Sequence, residues 1–287
     1  MAIALTRRTG LPAALLPAGA TAHPAFDPLH PWLARLGPDP GLDELTALAS
    51  GSGSPPVTAS GHPVRFCLPA STGGRDYEQR AFDTGQLDTR PGNVHDFFNA
   101  LAWIAFPRAK AAINARHVAG LASEGKARGP LRDLLTLVDE GGVLVACAQE
   151  SLTEFESLVR AFRWQDLFWA RRARLPAEMR FVLLGHSAFE KALAPYPGIT
   201  CKALFLPVSR RELGGPLPDL VAGLDAAAAG WVLALAADAS PRQLPPLPVF
   251  GYPGWLAESA SPGFYADRRW FRTAPAGRTA DKLERTA

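Results

Sequence analysis

Cysteine is scarce and badly placed for cross-linking. Cys67, Cys147 and Cys201 are the only three in 287 residues. An odd number without C-x-x-C spacing argues against a disulfide framework or a cysteine-based zinc site and points to free thiols in a reducing compartment. Long hydrophobic runs are missing as well: no stretch approaches the ~18 uncharged apolar residues of a membrane-spanning helix. Nor is there an excess of one sign of charge, since 30 basic residues face 27 acidic ones for a net +3. That balance argues against nucleic acid as a partner. The clusters Arg171-Arg172-Arg174 and Arg268-Arg269-Arg272 read as solvated surface, because neither carries the glycine and aromatic signature of a nucleic-acid module. Lysine accounts for only five of the 30 basic residues, a skew that reads as the composition of a GC-rich bacterium.

What is present is a folded composition, 47% hydrophobic and 20% charged. The 26 glycines and 27 prolines crowd the first 61 residues and the stretch after Pro195, which leaves the middle as the scaffold. The first residues carry Arg7-Arg8 and an Ala20-Thr21-Ala22 string that resembles an export signal. Gly10, Pro12, Pro17 and Gly19 break its apolar centre, leaving Ala13–Leu16 against the ~7–15 residues such a centre needs. We therefore expect a cytoplasmic protein with a disordered segment at 1–22, one domain at 23–272 and a frayed tail at 273–287.

Periodicity predicts the elements. Gly41–Ala49 and Arg75–Phe82 read as short helices, and Pro63–Leu68 as a strand. Asn93 opens the strongest helical text, with Phe97, Phe98, Leu101 and Ile104 on one face, and Pro107 must break or restart it. Arg108–Leu121 is again helical and places Lys110, Asn114 and His117 on a common face. Leu134–Val138 and Val143–Cys147 flank the string Asp139-Glu-Gly-Gly142, which predicts a β-hairpin over about 134–148. Its acids, Asp139 and Glu140, then read as solvated turn formers. Thr153–Arg172 reads as one amphipathic helix, Arg180–Leu184 and Ile199–Val208 as strands, His186–Leu193 and Leu220–Ala237 as helices. No internal repeat is visible. The order predicts an α+β fold: a mostly helical single domain around a small sheet.

Chemistry-bearing strings are few. Phe181–Ser187 runs a strand into Gly-x-Ser, as in a nucleophile elbow, but the second glycine of that motif is Phe189 and no histidine follows His186. This argues against a serine hydrolase. His186 and Glu190 are neighbours at i and i+4, as are His95 and Asn99. Together with Lys110, Asn114 and His117 they form the candidate catalytic set, with Arg132 placed to bind an anionic group. Arg128 and Asp133 lie nearby; Arg132-Asp133 also suits a structural brace. Gly251-Tyr-Pro-Gly-Trp255 is a rigid turn suited to anchoring the tail on the core.

The strings Tyr77-Glu78, Thr89-Arg90, His95-Asp-Phe-Phe-Asn-Ala100, Trp103, Phe106-Pro-Arg-Ala-Lys110, Asn114 and His117 form a wider pattern. So do Gly185-His186, Glu190-Lys191, Gly198-Ile-Thr200, Gly251–Trp255 and Phe264-Tyr265. The pattern resembles a bacterial family of unknown function, domain 3025, over roughly His23 to Arg272. The resemblance implies a single cytoplasmic domain, and alanine is common in that family where this chain has Ser187. It implies no activity and supplies no catalytic residues.

The residues themselves lead to two expectations. The first is an enzyme, hydrolytic or group-transferring, acting on a small polar or anionic substrate. A histidine would be its general base, Glu190 would hold an imidazole or act as acid, and Lys110 or Arg132 would counter substrate charge. A divalent metal on the histidines and Glu190 is a variant of it; the cofactor remains unknown. The second is a non-catalytic binding protein in which the same residues brace helix ends. The two part on whether His95, His117 and His186 converge.

Overall fold

The computed structural model describes residues 15–17, 19–69, 77–124 and 129–274, the last three of the third stretch by backbone alone. A 3-10 turn (Pro24–Leu29) leads into α1 (His30–Leu33) and α2 (Leu42–Ser50). Then come β1 (Arg65–Cys67), α3 (Tyr77–Thr84), β2 (Gln86–Asp88), α4 (Val94–Ala105), α5 (Pro107–Glu124) and α6 (Pro130–Gly141). β3 (Gly142–Ala148), α7 (Leu152–Arg160), α8 (Leu175–Glu178), β4 (Met179–Leu183) and α9 (His186–Ala192) follow. The chain continues through β5 (Cys201–Val208), α10 (Arg210–Leu213), α11 (Leu217–Ala234) and β6 (Pro246–Leu247).

The main sheet has the order β4-β3-β5-β6, with β3 parallel to β5 and antiparallel to β4. Every residue of β3 is buried, as a central strand covered on both faces requires. β1 and β2 form a separate parallel pair. One hydrophobic core runs from Ala25 to Phe271 through helices and sheet alike. The architecture is mixed α+β, as the sequence predicts.

Two expectations need correction. Residues 134–141 are not the first arm of a hairpin but the body of α6, started by Pro130 at its first turn. The apolar run Leu134, Leu135 and Val138 lies on the buried face of that helix, and a short apolar run alone does not distinguish strand from helix. The expected helix Thr153–Arg172 ends at Arg160, because Phe162 adopts a left-handed backbone (φ 57°) that closes α7. Arg163 N–H donates to Leu158 O (2.9 Å) in a Schellman-type cap, and a π-helical turn, Gln165–Ala170, follows. Of the N-terminal segment, residues 1–14 and 18 lie outside the described residues. Leu15 and Leu16, however, pack against the core, and Leu15 N–H bonds Pro38 O (2.9 Å). Arg128 and residues 275–287 also lie outside the described residues.

Capping positions the central helices. The Asn93 side chain accepts from Asp96 N–H (2.9 Å) and starts α4. Pro107 ends α4 and begins α5, whose free N–H groups at Arg108 and Ala109 donate to Asp225 of α11 (3.1 and 2.8 Å). Asp225 is buried, and that burial pushes its carboxyl up to about 6. The Gly251–Trp255 turn does hold the tail: Tyr252 OH donates to Met179 O (2.7 Å), and Trp255 packs edge-on to Phe181.

Two glycines set the junction between α6, β3 and α9. A Cβ on Gly142 would lie 2.4 Å from Val138 O, and one on Gly185 would lie 2.4 Å from Glu140 O. Neither neighbour can yield, because both are backbone. Gly185→Ala is accordingly expected to destabilise the protein by about 2–4 kcal/mol in urea unfolding. Gly223 of α11 has open space around its Cβ position, and Gly223→Ala is expected to stabilise by about 0.5–1 kcal/mol. Equal effects of the two substitutions would contradict the packing described.

Candidate functional site

A cleft of about 560 Å³ opens among α3, α4, α5, α6 and α9. Its walls include His95 and Asn99 of α4, His117 of α5, Arg132, Thr136 and Asp139 of α6, and His186 of α9. Helical spacing explains the α6 contribution, since positions 132, 136 and 139 share one face.

The centre of the cleft is a pair of imidazoles. His95 Nε2 and His186 Nε2 stand 3.1 Å apart, with the rings edge to face. Each ring meets a carboxylate on its other nitrogen. His95 Nδ1 lies 3.0 Å from Glu190 Oε2, and His186 Nδ1 lies 3.5 Å from Asp139 Oδ2, too poorly aligned to count as a hydrogen bond. His186 is buried, and desolvation pulls its pKa down to about 4 against the opposing pull of Asp139. His95 and Glu190 sit at the exposed end, with side chains 36% and 44% accessible.

Behind the pair lies a buried ionic layer. Lys110 Nζ pairs with Asp139 Oδ1 and donates to Asn99 Oδ1 (2.9 Å), while Asn99 Nδ2 donates to Tyr77 OH (3.1 Å). Burial alone would raise the Asp139 carboxyl, but the Lys110 ammonium, with His186 and His117 nearby, holds it below the usual range. Burial also pushes the Tyr77 phenol well above its ordinary value. At the rim Arg90 grips Asp96 through Nε and Nη2 (2.7 and 2.9 Å), which overcomes desolvation and lowers the Asp96 carboxyl.

Of the residues singled out by sequence, His95, Asn99, His117, Arg132 and His186 line the cleft. Glu190 touches its outer histidine, and Lys110 stands one layer behind. Asn114 is placed differently: its Nδ2 donates to Glu78 O and Oε2 (2.9 and 2.6 Å), which ties α5 to α3. Asp139 and Glu140 are not in a hairpin turn but at the end of α6, where both line the cleft; Asp139 is half-buried, while Glu140 is solvent-exposed. The reading of 130–141 as a helix, with Arg132, Thr136 and Asp139 on one face, is the signal that would have found them.

The arrangement narrows the chemistry. Ser187 Oγ donates to Glu140 Oε2 (3.2 Å) and lies 3.4 Å from His95 Nδ1, a nitrogen already facing Glu190. No ring is free to take the Ser187 proton while an acid holds its other side, so the triad pattern is absent here. Cys147 and Cys201 are buried, and burial pushes both thiols up to about 12. Glu190 meets His95 on the nitrogen away from His186. Among the described residues no three His, Cys, Asp or Glu side chains are grouped to hold a metal ion. Arg171 and Arg174 pair with Glu154, and Arg174 also with Glu178, so that basic cluster is largely neutralised. No described helix is long and apolar enough to cross a membrane.

No curated protein and no solved structure is significantly similar to the chain. The model of the family described as "Protein of unknown function (DUF3025)" matches residues 64–275, which span every group in the cleft. The chain belongs to this DUF3025 family.

Proposed function

We propose that the cleft is the active site of a cytoplasmic enzyme that performs acid–base chemistry, hydrolytic or group-transferring, on a small polar or anionic substrate. The observation that carries this reading is the Nε2 to Nε2 contact of His95 and His186 between two carboxylates. An ionised carboxylate offers only acceptors, so each Nδ1 facing one favours the N–H form. Two neutral rings protonated at Nδ1 would turn two lone pairs on each other at 3.1 Å.

Several arrangements avoid that repulsion, and two of them, differing by one proton, make a relay. In the first, His186 Nε2–H donates to His95 Nε2, His95 Nδ1–H donates to Glu190, and His186 Nδ1 is bare toward Asp139. In the second, a proton added at His186 Nδ1 pushes the shared proton onto His95, which becomes an imidazolium against Glu190. A proton arriving at the buried end is thus delivered at the exposed end. Such a relay supplies a general acid and, in reverse, a general base. Lys110 neutralises Asp139, which lets the first arrangement persist without a bare charge facing a lone pair. Arg132 and His117 also line the cleft, and a guanidinium there suits an anionic substrate group. Three free cysteines support a reducing compartment.

The buried ring makes stability depend on pH. Because the folded pKa of His186 is depressed from 6.5 to about 4, the unfolded chain takes up a proton in that interval that the folded protein refuses. Stability therefore rises with pH from about 4 to 6.5 and is complete above 6.5. Asp225, raised from 3.8 to about 6, has the opposite slope between those values and masks part of the effect. The clean quantity is the difference between wild type and His186→Gln, in which the Asp225 contribution cancels. That difference is expected to grow by about 3 kcal/mol in favour of wild type from pH 4 to 6.5, measured by chemical denaturation. A flat difference contradicts the burial of a neutral imidazole.

Catalysis is tested by a turnover screen over acyl, phosphoryl and glycosyl donors of small size. His95→Gln and His186→Gln are each expected to lower turnover about 10²–10⁴-fold at unchanged fold. Full activity in either variant, or no turnover on any donor class by the wild type, contradicts the proposal and favours the non-catalytic binding protein.

A further inference from the structure

The paired imidazoles suit a second occupant besides a proton. Two nitrogens bound at ~2.0–2.1 Å to one metal ion stand about 2.9–3.4 Å apart for bond angles between right and tetrahedral. His95 Nε2 and His186 Nε2 are 3.1 Å apart. Their ring centroids, at 4.6 Å, are closer than a head-on approach at that nitrogen distance allows, so the rings lean off the line joining the nitrogens. A shared proton tolerates such a lean, and a common metal ion requires it.

The surroundings match. Histidines that bind a metal turn their other ring nitrogen to a carboxylate, which fixes the tautomer and raises ligand basicity. Here Glu190 Oε2 lies 3.0 Å from His95 Nδ1, and Asp139 Oδ2 lies 3.5 Å from His186 Nδ1. The charge of the cleft also favours a cation. Glu78, Asp88, Asp96, Asp139 and Glu140 line it against Arg90 and Arg132, and counting the flanking Arg80, Lys110 and Glu190 still leaves acids in excess. The exposed flank of His95 gives an ion access from solvent.

We propose that a divalent transition-metal ion of the zinc type binds between His95 Nε2 and His186 Nε2 and takes the place of the shared proton. Both rings then carry a proton on Nδ1 against a carboxylate, and the two lone pairs that otherwise repel become the ligands. The neutral pair loses no net proton, because His186 exchanges its Nε2 proton for one on Nδ1. Two protein ligands leave the remaining positions to water or a substrate oxygen, so the site is open and exchangeable, unlike a four-ligand structural zinc site. Imidazole donors select such ions over magnesium and calcium, which take oxygen ligands. The bound ion occupies both relay nitrogens and so switches the acid–base chemistry off; that consequence, unlike the binding, rests on the activity proposed above.

Calorimetric titration of the full, untagged chain with zinc, nickel and magnesium chlorides tests the site without turnover. Its failure therefore leaves the acid–base reading standing, and a lack of turnover leaves the site standing. Zinc and nickel are expected to bind at one ion per chain with Kd of about 1–100 μM, and magnesium not to bind by about 10 mM. His95→Gln and His186→Gln are each expected to weaken zinc at least ~10-fold, and Glu190→Gln about 10-fold through lost orientation of the His95 ring. Should His186→Gln fail to fold, His95→Gln at the exposed end decides the question. No zinc binding up to about 1 mM overturns the proposal. So does wild-type zinc affinity in a folded His95→Gln, which would place the ion elsewhere on the chain.

Discussion

Two places where backbone passes over backbone, with no room for a methyl group, hold the centre of this protein together. At Gly142 the chain leaves α6 and enters β3 without a connecting loop, so close to Val138 that a side chain would collide with a carbonyl. At Gly185 the chain leaving β4 crosses the last turn of the same helix at the level of Glu140. These contacts bring the first turn of α9 onto the end of α6 and thereby place His186 beside Asp139. The contacts between the two histidines and their carboxylates follow from that placement. His95 reaches His186 only because α4 packs on α9, and Glu190 reaches His95 one helical turn further along α9.

The second constraint is electrostatic. Lys110 and Asp139 are withdrawn from water, and each is tolerable there only because the other is present. Removing one partner of a buried pair typically costs about 3–5 kcal/mol, whereas replacing both by apolar groups can be neutral. The pair is therefore weak evidence for stability as such. Its effect here is to hold the Asp139 carboxyl below its usual range beside the buried His186 ring. Asp225 is a similar case on the other side of α5. It is buried to satisfy two backbone N–H groups at a helix start, and its raised pKa reflects that burial.

Much of this was legible in the sequence where a periodic pattern coincided with a cap. Asn93 and Pro107 bound α4 as their chemistry predicts, and the i, i+4 and i, i+7 spacing put Lys110, Asn114 and His117 on one face. What escaped was whatever depended on contacts between distant elements. Leu134–Val138 has strand-like composition, yet helix geometry wins because Pro130 starts a helix and Gly142 lets it end at once in a buried strand. Misreading that segment removed Asp139 and Glu140 from view. Asn114 looked equivalent to its neighbours on the α5 face, but only the fold shows that Glu78 of α3 takes its amide. The Nε2 contact between residues 91 apart in the chain has no local signature at all.

The central claim is that His95 and His186 share a proton through their Nε2 atoms. Nitrogen-15 NMR of the histidine rings at neutral pH measures this directly, because an N–H···N hydrogen bond transmits scalar coupling between the two nitrogens. The account predicts a resolved coupling between His95 Nε2 and His186 Nε2, with His186 resisting protonation down to about pH 4. Two uncoupled rings that each titrate independently at the ordinary histidine value would contradict it.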